Sequence, residues 1–173
     1  MATDFVFRSH PYASSVRAQV VEITDKGIIL NKTVFYATSG GQPGDSGHFL
    51  LKNGESLPIT TAVFVDPAKT IIAHVPAPDS ALPEVGDEVV ATIDFDPRLK
   101  RMRMHTALHL LSVVLPYPVT GGSVGDVESR LDFDIPEGGI DKDEVTAKVN
   151  DLIARDAAVS DRFITEAELD ANP

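Results

Sequence analysis

The chain has 173 residues and carries 15 Lys and Arg against 26 Asp and Glu, which gives a formal net charge of −11. A hydrophobic fraction of 43% and a charged fraction of 24% are typical of a globular protein and exclude collagen-like or disordered chains. There is no cysteine, so this chain supplies no disulfide, thiolate metal ligand or cysteine nucleophile. The apolar run at residues 110–115 is too short to span a membrane, and residues 1–10 lack the apolar core of a signal peptide, which favours a cytoplasmic location.

The first 95 residues contain short β-type runs separated by turn residues. These runs lie at residues 16–23, 27–30, 33–36, 48–51, 61–65, 70–75 and 88–94. A reversal is predicted at Asp25-Lys26-Gly27, and Asn53-Gly54 is typical of a two-residue hairpin turn. Several short strands at close spacing predict a small barrel or folded sheet over residues 1–95.

The sequence changes to a helical pattern after the barrel-like part. Asp96 is expected to cap a helix with Pro97 in its first position, and an apolar stripe then runs through residues 98–115. A second helix is predicted from Asp141, with Glu144 placed as in a capping box.

The remaining elements are short. Strands are predicted at residues 127–135 and 159–164. Thr165 and Glu168 indicate a third helix that barely begins before Pro173. We expect that the natural gene product continues beyond this point. The alternative is that the protein ends at Pro173.

Residues 39–47 form a glycine-rich segment, Ser-Gly-Gly-Gln-Pro-Gly-Asp-Ser-Gly. Glycines allow a backbone to approach a ligand closely and to present N–H groups to an anion or a carbonyl. No Gly-Lys-Ser/Thr follows and the dinucleotide-binding spacing is absent, which excludes an ATP-binding P-loop and a Rossmann site. The alternative is a long turn between two strands.

His105 and His109 are four residues apart on the first predicted helix. Residues at this spacing lie on one helix face, so both imidazoles could reach one metal ion. Thr106 stands where the zinc-peptidase motif has a glutamate, which disfavours that chemistry. Two ligands are too few for zinc. The chain could complete a site only with one of its other histidines, His10, His48 and His74, or with carboxylates. The alternative is two unrelated histidines on a partly buried helix.

A basic cluster precedes the histidines. It consists of Arg98, Lys100, Arg101 and Arg103. These residues lie in the first turns of the helix, where the helix dipole disfavours cations, so another reason for their placement is phosphate contact. A solvated charged face is the alternative. The net charge of −11 averages over this cluster and argues only against broad, non-specific nucleic-acid binding.

A glycine-containing segment at residues 119–126 follows the helix. It could place Thr120 or Ser123 beside the histidines. No Ser-His-Asp relay is recognisable around it, and a plain connecting loop is the alternative.

The order of these motifs is more informative than each motif alone. The glycine-rich segment, His105-Thr106-Ala107-Leu108-His109, Gly122-Ser123-Val124 and Leu131-Asp132-Phe133-Asp134 follow one another along the chain. In this order the chain resembles the editing domain of alanyl-tRNA synthetases, and more closely the free-standing AlaX-type trans-editing proteins. The similarity extends from about residue 14 over nearly the whole chain.

The resemblance implies an α+β protein with a small N-terminal β-barrel-like domain at residues 1–95. An α/β editing-like domain at residues 96–173, incomplete at its C-terminus, would carry the His-x3-His helix. The implied activity is zinc-dependent hydrolysis, in trans, of serine or glycine wrongly attached to tRNA(Ala). The partner is the acceptor end of that tRNA, with no DNA or membrane partner.

The resemblance also assigns roles to the motifs. His105 and His109 would be zinc ligands, while the family's later Cys-x3-His pair is absent from this chain. The residues expected to act in catalysis are Thr106, Ser123 and Gln42. Those expected to bind substrate are Gly40, Gly41, Gln42, Thr120, Arg98, Arg101 and Arg103. The alternatives are a catalytically inactive module that binds tRNA or a synthetase, and a metal-dependent hydrolase of another small acyl ester.

Overall fold

The computed structural model of the chain describes residues 2–135, 139–160 and 162–171. In this part of the chain ten strands and four helices follow one another. Their bounds, in chain order, are β1 (Asp4–Phe5), α1 (Val6–Ser9), β2 (Ser15–Thr24), β3 (Gly27–Leu30), β4 (Lys32–Thr33), β5 (Gly47–Leu50), β6 (Ser56–Phe64), β7 (Ile72–Pro76), β8 (Glu88–Ile93), α2 (Phe95–Val114), β9 (Val119–Ser123), β10 (Arg130–Phe133), α3 (Lys142–Ala154) and α4 (Glu166–Ala171).

Six strands close into a barrel in the order β2-β3-β7-β6-β5-β8, with antiparallel neighbours throughout. Alternation along the strands points every second side chain inward, as in β8, where Val89, Ala91 and Ile93 are buried. Phe35 and Phe49 meet edge to face at the centre, with ring centroids 5.8 Å apart. The barrel predicted for residues 1–95 is confirmed.

Of two turns predicted from the sequence, one forms as expected and the other is longer. Thr24 pairs with Gly27, so the chain reverses where predicted, through a two-residue hairpin loop of Asp25 and Lys26. The Asn53-Gly54 loop is longer than the two residues predicted, because β5 ends at Leu50 and β6 begins at Ser56. The Leu51 amide donates to the Glu55 carbonyl at 2.8 Å and closes this wider loop.

Several predicted strands are shorter or absent. Residues 33–36 were expected to be a strand, but β4 ends at Thr33 and the chain then turns inward at Phe35 to fill the barrel. The strand expected at 127–135 is limited to Arg130–Phe133, paired with β9. Residues 159–160 and 162–164 are not a strand, and residue 161 lies outside the described residues.

Helix α2 begins earlier than predicted, at Phe95, with Asp94 in the capping position. The Asp94 carboxylate accepts a hydrogen bond from Ser46 Oγ at 2.6 Å instead of capping the helix. The predicted cap at Asp96 is therefore wrong. Pro97 is the third helical residue, which is acceptable because the first four amides of a helix have no intrahelical acceptor.

The two later helices begin as predicted. The Asp141 carboxylate accepts from the amides of Asp143 and Glu144 at 2.9 and 3.1 Å and caps α3. The Glu168 amide donates to Thr165 Oγ1 at 3.2 Å, and the Thr165 amide donates to Glu168 Oε2 at 2.9 Å, as a capping box requires.

The hydrophobic core lies in the barrel. Among the described residues after β8, only Val124 is a buried hydrophobic residue, and large apolar side chains such as Val113 and Ile153 remain exposed. Helix α2 packs on α3. The last barrel strand ends at Ile93 and α2 begins at Phe95, close to the boundary expected at residue 95, but the division into two domains stays a prediction. None of the described helices is long and apolar enough to cross a membrane.

Candidate functional site

The glycine-rich segment contains a tight turn at Ser39–Gln42. The Gln42 amide donates to the Ser39 carbonyl at 3.0 Å, and the Ser39 amide donates back at 3.1 Å. Gly40 and Gly41 have φ values of +58° and +75°, the signs of a type I′ turn. In the described part of the chain, no hydrogen bond is donated by the amides of these two glycines. The turn therefore offers two N–H groups to a ligand.

The same turn packs on strand β9 through the backbone of Gly41. A Cβ built on Gly41 would lie 2.5 Å from the Gly122 carbonyl oxygen and 3.2 Å from the Cα of Ser123. The Val124 amide donates to the Gly41 carbonyl at 2.9 Å. The structure therefore brings together the glycine-rich turn and the segment carrying Ser123, two motifs that are far apart in the sequence.

Neighbouring side chains hold Ser39, the first residue of the turn. The Tyr36 hydroxyl donates to the Ser39 carbonyl at 3.1 Å, and the Lys69 ammonium donates to Ser39 Oγ at 3.0 Å. Burial, which disfavours the phenolate, raises the pKa of Tyr36. Gly44 lies against β6, where a Cβ would be 2.3 Å from the Ala62 carbonyl oxygen.

Asp45 joins the glycine-rich segment to helix α2. Its carboxylate is 1% exposed and accepts the Tyr36 amide at 2.8 Å. Arg98 forms a buried ion pair with it, with Nε 2.9 Å from Oδ2 and 3.1 Å from Oδ1. Arg98 Nη2 also contacts Asp45 Oδ2 and donates to the Val34 carbonyl at 2.9 Å. Sequence reasoning missed Asp45 as a site residue.

The position of Arg98 corrects its expected role. Its side chain is only 5% exposed and lies among Asp45, Phe7 and Tyr36, with the guanidinium carbon 5.7 and 5.9 Å from the two ring centroids. Arg98 is therefore not placed to contact an acceptor-stem phosphate. Arg101 is also largely enclosed, at 11% exposure, with Nη1 3.6 Å from Asp45 Oδ1 and 3.4 Å from the Gly44 carbonyl.

The basic cluster is split between two sides of α2. One face, within an arc of about 80° at about 100° per residue, carries two arginines and both histidines. These residues are Arg98, Arg101, His105 and His109. Lys100 and Arg103 project about 140–160° away from this face, and both are exposed. The four basic residues therefore do not lie on one side of the helix.

His105 and His109 face each other on α2. Their Nε2 atoms are 3.2 Å apart and the rings stack with centroids 4.9 Å apart. Partial burial lowers the pKa of His105, and the charge of the neighbouring His109 lowers it further. Two nitrogens bound at 2.0–2.1 Å to one tetrahedral zinc are separated by about 3.3–3.4 Å. The observed spacing therefore fits two ligands of one metal ion.

In the part of the chain that the structure describes, no complete ligand set surrounds the pair. Across residues 2–135, 139–160 and 162–171, no group of three or more histidine, aspartate or glutamate side chains could hold a metal ion. His74, one of the histidines considered as a further ligand, lies inside the barrel, with Nε2 2.7 Å from Thr33 Oγ1 and Nδ1 2.8 Å from the Ile28 carbonyl oxygen. The pair thus contributes two ligands only.

The remaining candidate residues are placed as follows. Thr106 is exposed on α2 and its hydroxyl donates to the Met102 carbonyl at 3.1 Å. Thr120 and Ser123 are exposed on β9. Gln42, the last residue of the glycine turn, is 8% exposed. Only Ser123 is brought directly against the glycine-rich turn, and the catalytic and binding roles of these residues stay predictions.

Comparison with known proteins identifies the family. The sequence model of the family described as "tRNA synthetases class II (A)" matches residues 7–97. The chain is 33% identical over 165 residues to "Alanyl-tRNA editing protein AlaX-M" of Methanosarcina barkeri, covering 91% of this chain and 67% of that protein. The chain belongs to the alanyl-tRNA editing family. The resemblance stated from the motifs is confirmed.

Other members of the family show the same relationship. The AlaX-M protein of Pyrococcus horikoshii is 36% identical over 73% of this chain and 58% of its own length. The "Alanine--tRNA ligase" of Pyrobaculum aerophilum is 32% identical over 96% of this chain but only 19% of its own length. The chain thus spans between about three fifths and two thirds of these two AlaX-M proteins.

Proposed function

We propose that this chain hydrolyses mischarged tRNA(Ala) in trans, removing serine or glycine for translational fidelity. The observation that carries the proposal is the contact between the Gly40-Gly41 turn and the Ser123 segment. Asp45 of the same glycine-rich segment binds Arg98 on the helix that bears His105 and His109. Family membership supports the same activity, because the relatives are named alanyl-tRNA editing proteins. A cytoplasmic location is part of this proposal.

The chemistry needs little beyond positioning. An aminoacyl ester is already activated, so hydrolysis depends mainly on a placed water and on stabilisation of the developing oxyanion. The two amides of the glycine turn are suited to hold a carbonyl or an oxyanion. A hydroxyl at Thr106 or Ser123 could bind the serine hydroxyl and so favour the serine ester over the alanine ester.

We include zinc in the proposal, held by His105 and His109. When bound, such an ion would act as a Lewis acid or anchor the substrate amino group. Catalytic zinc sites use three protein ligands, so at least one further ligand would have to come from outside this pair. The two histidines place their Nε2 atoms 3.2 Å apart on one helix face, where both would bind the ion.

The tRNA backbone would be met by exposed cations. Lys100 and Arg103 remain exposed on α2, whereas Arg98 is enclosed by Asp45 and two aromatic rings. We therefore assign phosphate contact to Lys100 and Arg103 and withdraw it from Arg98. Each such contact would weaken with salt, since binding releases condensed counterions.

A deacylation assay tests the proposal. The chain is incubated with Ser-tRNA(Ala), Gly-tRNA(Ala) and Ala-tRNA(Ala), with added zinc and with a chelator. We expect loss of the serine or glycine ester, retention of the alanine ester, and inhibition by the chelator. Binding of tRNA without hydrolysis would instead favour the inactive binding module. Hydrolysis of a free acyl ester but not of charged tRNA would favour the other hydrolase.

A further inference from the structure

Asp45 is the point at which three segments of the chain meet. Its carboxylate accepts the Tyr36 amide at 2.8 Å, and its own amide donates to the Tyr36 carbonyl at 2.9 Å. The Arg98 guanidinium binds the same carboxylate, and Arg101 approaches it at 3.6 Å. One buried carboxylate therefore joins the segment that follows β4, the glycine-rich segment and α2.

This arrangement orients α2 as well as holding it. The start of the helix is fixed where the Asp94 amide donates to the Ser46 carbonyl at 2.8 Å. A helix fixed only at its first residue could still swing about that point. Arg98 and Arg101, in the first two turns, add a second fixed point on the face that carries His105 one turn later.

The other end of the glycine-rich segment is fixed independently. Gly41, four residues before Asp45, contacts the Gly122 carbonyl and accepts the Val124 amide. The separation between the Gly40-Gly41 amides and the histidines therefore depends on how Asp45 holds the second half of the segment against α2.

The electrostatics of the cluster favour a geometric role. Two guanidinium groups share one carboxylate, and Arg101 Nε is buried without a hydrogen-bond partner in the described structure. Buried ion pairs of this kind add little net stability compared with apolar packing, but a bidentate guanidinium fixes direction. We propose that Asp45, acting through Arg98 and Arg101, is a positioning residue that sets the glycine-rich turn against the histidine face of α2.

This inference rests on the proposed deacylase function, and kinetics can separate the two. In Asp45→Asn the side chain keeps its size but loses its charge. We expect kcat per folded molecule to fall at least about tenfold, with KM changed less than about threefold, because small displacements of reacting groups are costly while the tRNA-binding surface is intact. The folded fraction is measured by circular dichroism in the same samples.

A milder variant and a control accompany it. Arg101→Met removes only the more distant guanidinium and serves if Asp45→Asn does not fold; we expect its kcat to fall at least about threefold. Arg17→Ala, at an exposed ion pair on the barrel, is expected to leave kcat unchanged. Faster hydrogen exchange of the Val124 amide in the Asp45→Asn variant or its Arg101→Met substitute would show directly that the turn has loosened.

The outcomes are distinct. If the wild-type chain deacylates tRNA and a folded Asp45→Asn or Arg101→Met variant retains its kcat, the positioning role is refuted and the proposed function stands. If the wild-type chain has no deacylase activity, the proposed function fails, and this inference with it.

Discussion

Gly41 and Gly122 touch through their backbones. With φ of +75° and its would-be Cβ 2.5 Å from the Gly122 carbonyl oxygen, Gly41 occupies a position that no larger residue can share. Gly40, its neighbour in the same turn, also has a positive φ, but nothing lies within 4 Å of its would-be Cβ. The two glycines thus differ in contact while they share a backbone conformation.

This difference defines a matched pair of variants. Gly41→Ala should separate the turn from β9 and lower the deacylation rate at least about tenfold, since a displacement of about 1 Å can lower a rate about a hundredfold. Gly40→Ala should lower the stability by only about 1–2 kcal/mol, because alanine is disfavoured in the left-handed backbone region. Deacylation rates and denaturant unfolding of both variants check this. Equal activity losses in the two variants would contradict the contact.

The histidine pair predicts metal binding. We expect one Zn²⁺ per chain by equilibrium dialysis, with affinity reduced at least about tenfold in His105→Ala and in His109→Ala, because either change leaves a single imidazole ligand. His10→Ala alters an exposed histidine elsewhere and is the control. Metal binding that survives both helix substitutions would place the ion at another site.

His74 predicts a pH-dependent stability of the barrel. Burial lowers its pKa from 6.5 to about 4. Between these values the unfolded chain binds a proton that the folded chain does not, so stability is complete above pH 6.5 and falls as the pH drops towards 4. A shift of this size removes about 2 kcal/mol of unfolding free energy between pH 7 and pH 5.

Denaturant titrations of the wild-type chain and His74→Gln measure this effect. The glutamine variant should lack the His74 contribution, so the difference between the two proteins should narrow as the pH falls. In the wild-type chain, the His74 imidazole signal in NMR should remain that of the neutral ring at pH 5. A half-protonated ring near pH 6.5 would refute the prediction.

The Asp45–Arg98 pair predicts strong energetic coupling. Removing one partner leaves a buried charge without its main counterion, and such losses amount to about 3–5 kcal/mol. In a double-mutant cycle of Asp45→Asn and Arg98→Met, we expect a coupling energy of about 2–3 kcal/mol by denaturant unfolding. The exposed pair of Arg17 and Glu88 is the control and should show little coupling. Additive losses at Asp45 and Arg98 would contradict a direct interaction.

The barrel could be predicted because its signals are local. Alternation along β8 and the turn at Asp25-Lys26 depend on neighbouring residues only, and both appear in the structure. The predicted strand at 33–36 failed because Phe35 is buried by tertiary packing, not by pairing within the sheet. Pattern alone does not distinguish these two reasons for an apolar run.

The site was only partly predictable for the same reason. The spacing of His105 and His109 indicates a shared helix face without any tertiary information. Arg98 was placed at the solvent because its partner, Asp45, lies 53 positions earlier in the chain, and only the folded structure brings the two together. The sequence did contain one signal that separates Arg98 from the exposed cations, namely its position around the helix. Arg98 and Arg101 share the face of the histidines, whereas Lys100 and Arg103 do not.

The buried pair also bears on how this fold can be divided during evolution. Asp45 belongs to the barrel half of the chain and Arg98 to the helical half. A gene fusion or deletion that cut the chain after β8 would therefore leave the buried Asp45 carboxylate without its arginine partner. The smallest segment that can be transferred to another protein intact therefore extends past the barrel through the opening turns of α2. Recombination breakpoints within this lineage should accordingly avoid the stretch between Ile93 and Arg101.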